Sequence, residues 1–111
     1  MLSFKTDVRV RVFRAQLVPV FAAACEWSAQ HGVDVQVASV NDPAPNRVAD
    51  SLHPFDLAVD CDPVNDRPDD RQSLADYFRR VLPAGYDVVF ESNHVHVEWD
   101  THRPPLMMRP A

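Results

Sequence analysis

The sequence predicts an α+β domain in which a small antiparallel sheet carries helices on one face and leaves a cleft on the other. Three observations point there. Segments that alternate apolar and polar residues are interleaved with segments whose apolar residues recur every three to four positions. The chain has 111 residues, room for one core. Hydrophobic residues make up 46% and charged residues 24%, a globular mixture that excludes disordered and collagen-like chains.

From the N-terminus, MLSFKTDVRVRVFR spreads its positive charges through a β-branched segment. It lacks the charged, apolar, small-residue order of a secretory signal. Phe13, Leu17, Val20, Phe21, Ala24 and Trp27 then fall on one broad face of a helix running to His31, with Gly32 as its C-terminal cap. Pro19 requires that helix to start near Val18 or to kink. Val33 to Val40 alternates as a half-buried strand. NDPAPNRVADSLHP follows, a loop by every breaker signal.

Phe55 to Asp60 alternates again, with Phe55, Leu57 and Val59 on one face and Asp56, Ala58 and Asp60 on the other. Cys61 to Asp70 reads as a Pro- and Asp-rich loop. Asp70 or Ser73 is expected to cap a helix through about Leu82, with Leu74, Tyr77, Phe78, Val81 and Leu82 inward. Pro83-Ala84-Gly85 ends it. Tyr86 to Phe90 and His94 to Trp99 read as strands joined tightly through Glu91-Ser92-Asn93. Residues 1–100 form the domain, and residues 101–111 a Pro-rich tail.

Composition narrows the partners. Eleven basic against sixteen acidic residues give a formal charge of −5, which argues against nucleic acid. The most apolar run, Leu17 to Cys25, contains Pro19 and is about half the ~18–20 residues of a membrane span. Cys25 and Cys61 match no zinc or redox spacing, and both are expected as reduced, buried thiols. Asp62, Asp66, Asp69 and Asp70 lack the order of a calcium loop and read as a solvated acidic loop. Trp27 and Phe21 read as core, His31 as a helix-end residue and His102 as a tail residue. Neither Ser51 nor Ser92 has a base partner that would suggest a serine hydrolase.

Two segments carry chemistry. In Glu91-Ser92-Asn93-His94-Val95-His96-Val97-Glu98, the alternation puts His94, His96 and Glu98 on one face and Val95, Val97 and Trp99 on the other. Two imidazoles and a carboxylate converging this way suit zinc, and the same pattern also suits a solvated strand face whose polar residues happen to include His. In Ser51-Leu52-His53-Pro54-Phe55-Asp56-Leu57-Ala58-Val59-Asp60, Pro54 holds His53 extended at the strand entrance. Asp60 lies at the far end, and seven residues span ~23 Å when extended. His53 and Asp60 reach one ion only if His53 folds back or the strand bends.

SLHPFDLAVD followed by ESNHVHVE resembles the zinc-dependent peptidoglycan peptidases of the D-Ala-D-Ala carboxypeptidase and L-alanyl-D-glutamate endopeptidase family, relatives of the hedgehog signalling domain. Ser51, His53, Ala58 and Asp60 match the pattern S-x-H-x-x-G-x-A-x-D, and Glu91, His94 and His96 match E-x-x-H-x-H. The VASVNDPAPNRVADSLH lead-in is similar to that of small phage-encoded members, and the resemblance covers about residues 34 to 99.

The resemblance implies that fold with a zinc cleft, and hydrolysis of an amide bond in peptidoglycan stem peptides. Synthesis would be cytoplasmic, without a signal peptide, and action on the bacterial cell wall would follow release or occur as part of a virion. His53, Asp60 and His96 would hold Zn2+, Glu91 would be the general base, and His94 would polarise the substrate. In some relatives the E-x-x-H histidine is itself the ligand, which would exchange His94 and His96. Asp56 and Leu57 stand where the family has Gly and often Arg. Asp56 would either support a ligand histidine or hinder an anionic peptide. Ser39-Val40-Asn41-Asp42 replaces an upstream Ser/Thr-Gly-x-Arg element, leaving Arg47 the nearest cation and Ser51 a hydrogen-bonding neighbour of His53. The same residues suit two rivals: a zinc-binding domain without catalysis serving a virion, and a binding domain without metal.

Overall fold

Valines that alternate along the sequence line up in one sheet. The computed structural model describes residues 1–6, 8, 15–40 and 58–99. In chain order these form β1 (Leu2–Phe4), a 3-10 turn (Ala15–Leu17), α1 (Val18–His31), β2 (Val35–Val40), β3 (Ala58–Pro63), α2 (Pro68–Val81), β4 (Tyr86–Phe90) and β5 (Val95–Trp99). The sheet order is β1-β2-β3-β5-β4. β1 runs parallel to β2 while β2–β3, β3–β5 and β5–β4 are antiparallel, so the sheet is mixed rather than purely antiparallel as expected. A three-residue edge strand carries too little pattern to be read from sequence.

Both helices contribute to a single core against one face of this sheet. Leu17, Val20, Ala24 and Trp27 come from the first helical segment, and Leu74, Ala75 and Phe78 from α2. They meet Val35, Val37, Val40, Val59, Cys61, Val95 and Val97 from the strands. Each large side chain so buried contributes about 1.5–3 kcal/mol. The indole N–H of Trp27 donates to Ser73 Oγ at 3.0 Å, tying the helices together. His31, the last residue of α1, stacks on the same indole.

Helix 1 starts at Val18 with Pro19 in its first turn, where a missing N–H removes no bond. Gly32 closes it with φ 66°. The second helix begins at Pro68 rather than at a cap of Asp70 or Ser73, for the same reason. Its inward set also differs from the expectation, because Val81 is exposed. Strand β3 continues through Cys61 to Pro63, where a loop was expected. Cys61 and Pro63 are buried, so the alternation simply runs on.

Strand β2 begins at Val35, not Val33, and its alternation is not strict. Val37 pairs with Cys61 and Ser39 with Asp60, leaving Ala38 as an extra residue. This bulge returns Val40 to the core and turns Ser39 toward the opposite face. Cys25 is exposed on α1 and Cys61 buried, so only one thiol is sequestered as expected. Residues 41–57 and 100–111, which hold Arg47, Ser51, His53, Asp56, Leu57 and the tail, lie outside the described residues. Among the described residues, no helix is long and apolar enough to cross a membrane.

Candidate functional site

The period of two that buries Val59, Val95 and Val97 turns their neighbours to the other side of the sheet. Asp60 on β3 lies directly across from His96 on β5. Opposed residues carry their side chains on one face, and here they touch: His96 Nδ1 is 2.7 Å from Asp60 Oδ1. His94, two positions earlier, brings Nε2 to 3.5 Å from the same oxygen. Glu98, two positions later, stands with Oε1 3.6 Å from His96 Nε2.

Glu91 joins through the hairpin. Its backbone N–H donates to the His94 carbonyl at 3.0 Å, closing a loop of Ser92 and Asn93. The flanking side chains then project together, and Glu91 Oε2 is 2.9 Å from His94 Nε2. The other ring nitrogen of His94 lies 2.6 Å from Asn93 Oδ1. Both nitrogens of His94 thus face oxygen atoms.

Asp60, His94 and His96 are half-buried, whereas Glu91 is 45% exposed and open to solvent. Burial alone would lower the His96 pKa. The hydrogen bond and charge of Asp60, followed by Glu98, outweigh it and hold the imidazole above its ordinary range. Ser39, opposite Asp60, is placed beside it by the Ala38 bulge.

The structure therefore brings together four of the sequence-predicted residues, Asp60, Glu91, His94 and His96. His53, Ser51, Arg47 and Asp56 fall outside the described residues. Among the described residues, no group of three or more His, Cys, Asp and Glu side chains is arranged to hold a metal ion. Two zinc ligands ~2.0–2.1 Å from one tetrahedral ion lie roughly 3.3 Å apart. The Asp60–His94 separation is near that, and Asp60–His96 is a hydrogen-bond length.

One residue was missed by sequence reasoning. Arg71 on α2 is 3% exposed. Its Nε donates to Asp62 Oδ1 at 2.5 Å and its Nη2 to Asp62 Oδ2 at 3.2 Å. Nη2 also donates to Asp66, and Nη1 to the Ser92 carbonyl at 2.7 Å. Asp62 is thus a half-buried ion-pair partner at the end of β3 rather than part of a solvated loop, whereas Asp66, though it also meets Arg71, is 74% exposed as expected; Asp70 accepts from Asn65. Burial pushes the Asp62 carboxyl up against the opposing pull of Arg71, and Asp62 in turn holds the guanidinium firmly protonated. The signal was available: positions 71, 74, 75 and 78 share one helix face, so Arg71 occupies an apolar stripe.

Comparison with protein-family models and with curated proteins finds no match to this chain.

Proposed function

We propose that this chain is a zinc-dependent peptidase acting on an amide bond of peptidoglycan stem peptides. The observation that supports it most is the convergence of Asp60, His94 and His96 on one face of the sheet with Glu91 against His94. One carboxylate beside two imidazoles fits zinc, and His53 with Asp60 and His96 would hold it. His96, directly across from Asp60 and more buried than His94, is taken as the ligand, although both imidazoles have carboxylates at their ring nitrogens. Zinc would supply positive charge that polarises a scissile carbonyl and acidifies water.

The chain's own residues supply the proton chemistry. Glu91, exposed and within reach of water, takes a proton from the attacking water and returns it to the leaving amine. His94, its ring held by Asn93 at Nδ1, would donate from Nε2 to the oxygen on which charge develops once Glu91 turns to the attacking water. The Asp60–His96 hydrogen bond fixes the ring of His96.

The experiment measures zinc in the purified full chain, then new amino groups released from purified cell wall. Stoichiometric zinc, with release lost on chelation and in Glu91→Ala, is expected. Release that survives Glu91→Ala assigns the wrong base. A second reading, a catalytically impaired zinc-binding domain in a virion, is favoured by the crowding of Asp60, Glu91 and Glu98, which disfavours an anionic peptide. Zinc without any release selects it, and a folded chain with no zinc removes both.

A further inference from the structure

The two sequence segments that build the site are separated along the chain by α2, and α2 contains a buried cation that touches both. Asp62 lies two residues beyond Asp60 on β3, and Ser92 lies next to Glu91 in the hairpin loop. Arg71 bonds both carboxylate oxygens of Asp62, one oxygen of Asp66, and the Ser92 carbonyl. Four of the five N–H donors of a guanidinium are assigned by these contacts. A planar fork with fixed donor directions sets the distance and angle between what it binds, which a lysine ammonium does not.

The consequence falls on Glu91. Its carboxylate reaches His94 only because the Ser92-Asn93 loop is closed tightly, and this loop is otherwise exposed. The Ser92 carbonyl is held from the protein interior by Arg71 Nη1, from the same guanidinium that fixes β3 beside Asp60. We infer that Arg71 is a positioning residue, which sets the Glu91–His94 end of the site relative to Asp60 through the Ser92 carbonyl. Its effect on turnover rests on the peptidase reading; its hold on the loop does not.

The test uses the full chain in two variants. Arg71→Lys keeps a cation near Asp62 but loses the fork. Arg71→Met combined with Asp62→Asn removes both charges together, so that an unpaired buried carboxylate does not unfold the protein. Two quantities are read in each: hydrogen exchange at the Glu91 amide, relative to the β2 amides, and kcat and KM for release of amino groups from cell wall. Exchange at Glu91 is expected to rise about tenfold while β2 is unchanged. kcat is expected to fall about 10- to 100-fold with KM within about threefold, the usual effect of displacing a supporting group.

Unchanged exchange at Glu91 in both folded variants overturns the inference whatever the activity. Faster exchange with wild-type kcat overturns the catalytic part of it. If wild-type protein releases no amino groups, the peptidase reading fails separately, and the exchange result still decides whether Arg71 holds the loop.

Discussion

In zinc-free protein, Asp60→Asn is expected to change how stability depends on pH. Asp60 Oδ1 lies 2.7 Å from His96 Nδ1 and 3.5 Å from His94 Nε2, and the Asp60 and His96 side chains are 17% and 16% exposed. Among the described residues, Asp60 and Glu98 face His96, with His94 and its partner Glu91 next to them. Burial pulls the His96 pKa down, and Asp60 and then Glu98 raise it above the ordinary 6.5. A folded value above the unfolded one means that the contribution is fully present below the unfolded pKa. It is lost as pH rises through the folded pKa. A hydrogen bond between charged partners contributes about 1.5–3 kcal/mol. The substituted amide would keep an oxygen that accepts from the ring, so the loss sits near about 1.5 kcal/mol, or roughly 6–12 °C for a domain of this size. Thermal unfolding of chelator-treated protein at acid and alkaline pH reads the difference, and an NMR titration of His96 reads its cause. The gap between wild type and variant should be widest at mildly acid pH, where His96 is protonated while Asp60 is still ionised, and close as pH rises through the His96 pKa. An equal gap at both pH values, or a His96 pKa that does not fall in the variant, refutes the reasoning.

Other expectations follow from separate parts of the molecule. His96→Ala should weaken zinc binding by more than about a hundredfold and His94→Ala by about 10- to 100-fold, as measured by competition with a chelating dye; the opposite order makes His94 the ligand. Gly85→Ala should destabilise by about 1–3 kcal/mol in urea unfolding, because Gly85 has φ 108° and an added Cβ would stand 2.6 Å from the Trp99 ring. Zinc content per folded molecule should not change. A thiol reagent should modify Cys25 rapidly and Cys61 only after unfolding, since Cys25 is exposed while burial, and then Asp60 and Asp62, push the Cys61 thiol up.

What was legible in the sequence was whatever repeats with a period. The first helix, β4 and the His94/His96/Glu98 face could be read because three or more residues agree on one face in each. The end of strand β3 is masked in the sequence because Asp and Pro weigh toward loop, although Val59, Cys61 and Pro63 continue the alternation across Asp60 and Asp62. The bulge in β2 was written as Val35, Val37, Val40, a skip that strict alternation cannot produce. Arg71 is hard to read because a charged residue in a helix faces solvent by default, and only its place on the stripe of Leu74 and Phe78 marks it as buried. The approach of His94 and His96 to Asp60 is not readable locally, because it depends on β3 pairing with β5 across the whole of α2.

The core and the site fix the strand register from opposite sides. A slip of one residue in β3 would turn Asp60 and Asp62 into the core and Val59 and Cys61 outward. Each carboxylate so buried without its partner would cost several kcal/mol, and the exposed valine would forfeit about 1.5–3 kcal/mol more. Arg71 adds a third constraint, since its fork meets Asp62 only in the native register. Asp60 is thereby held opposite His96 by forces that do not involve any ligand. Whatever binds at this face, the free energy of binding is not spent on ordering β3 or β5.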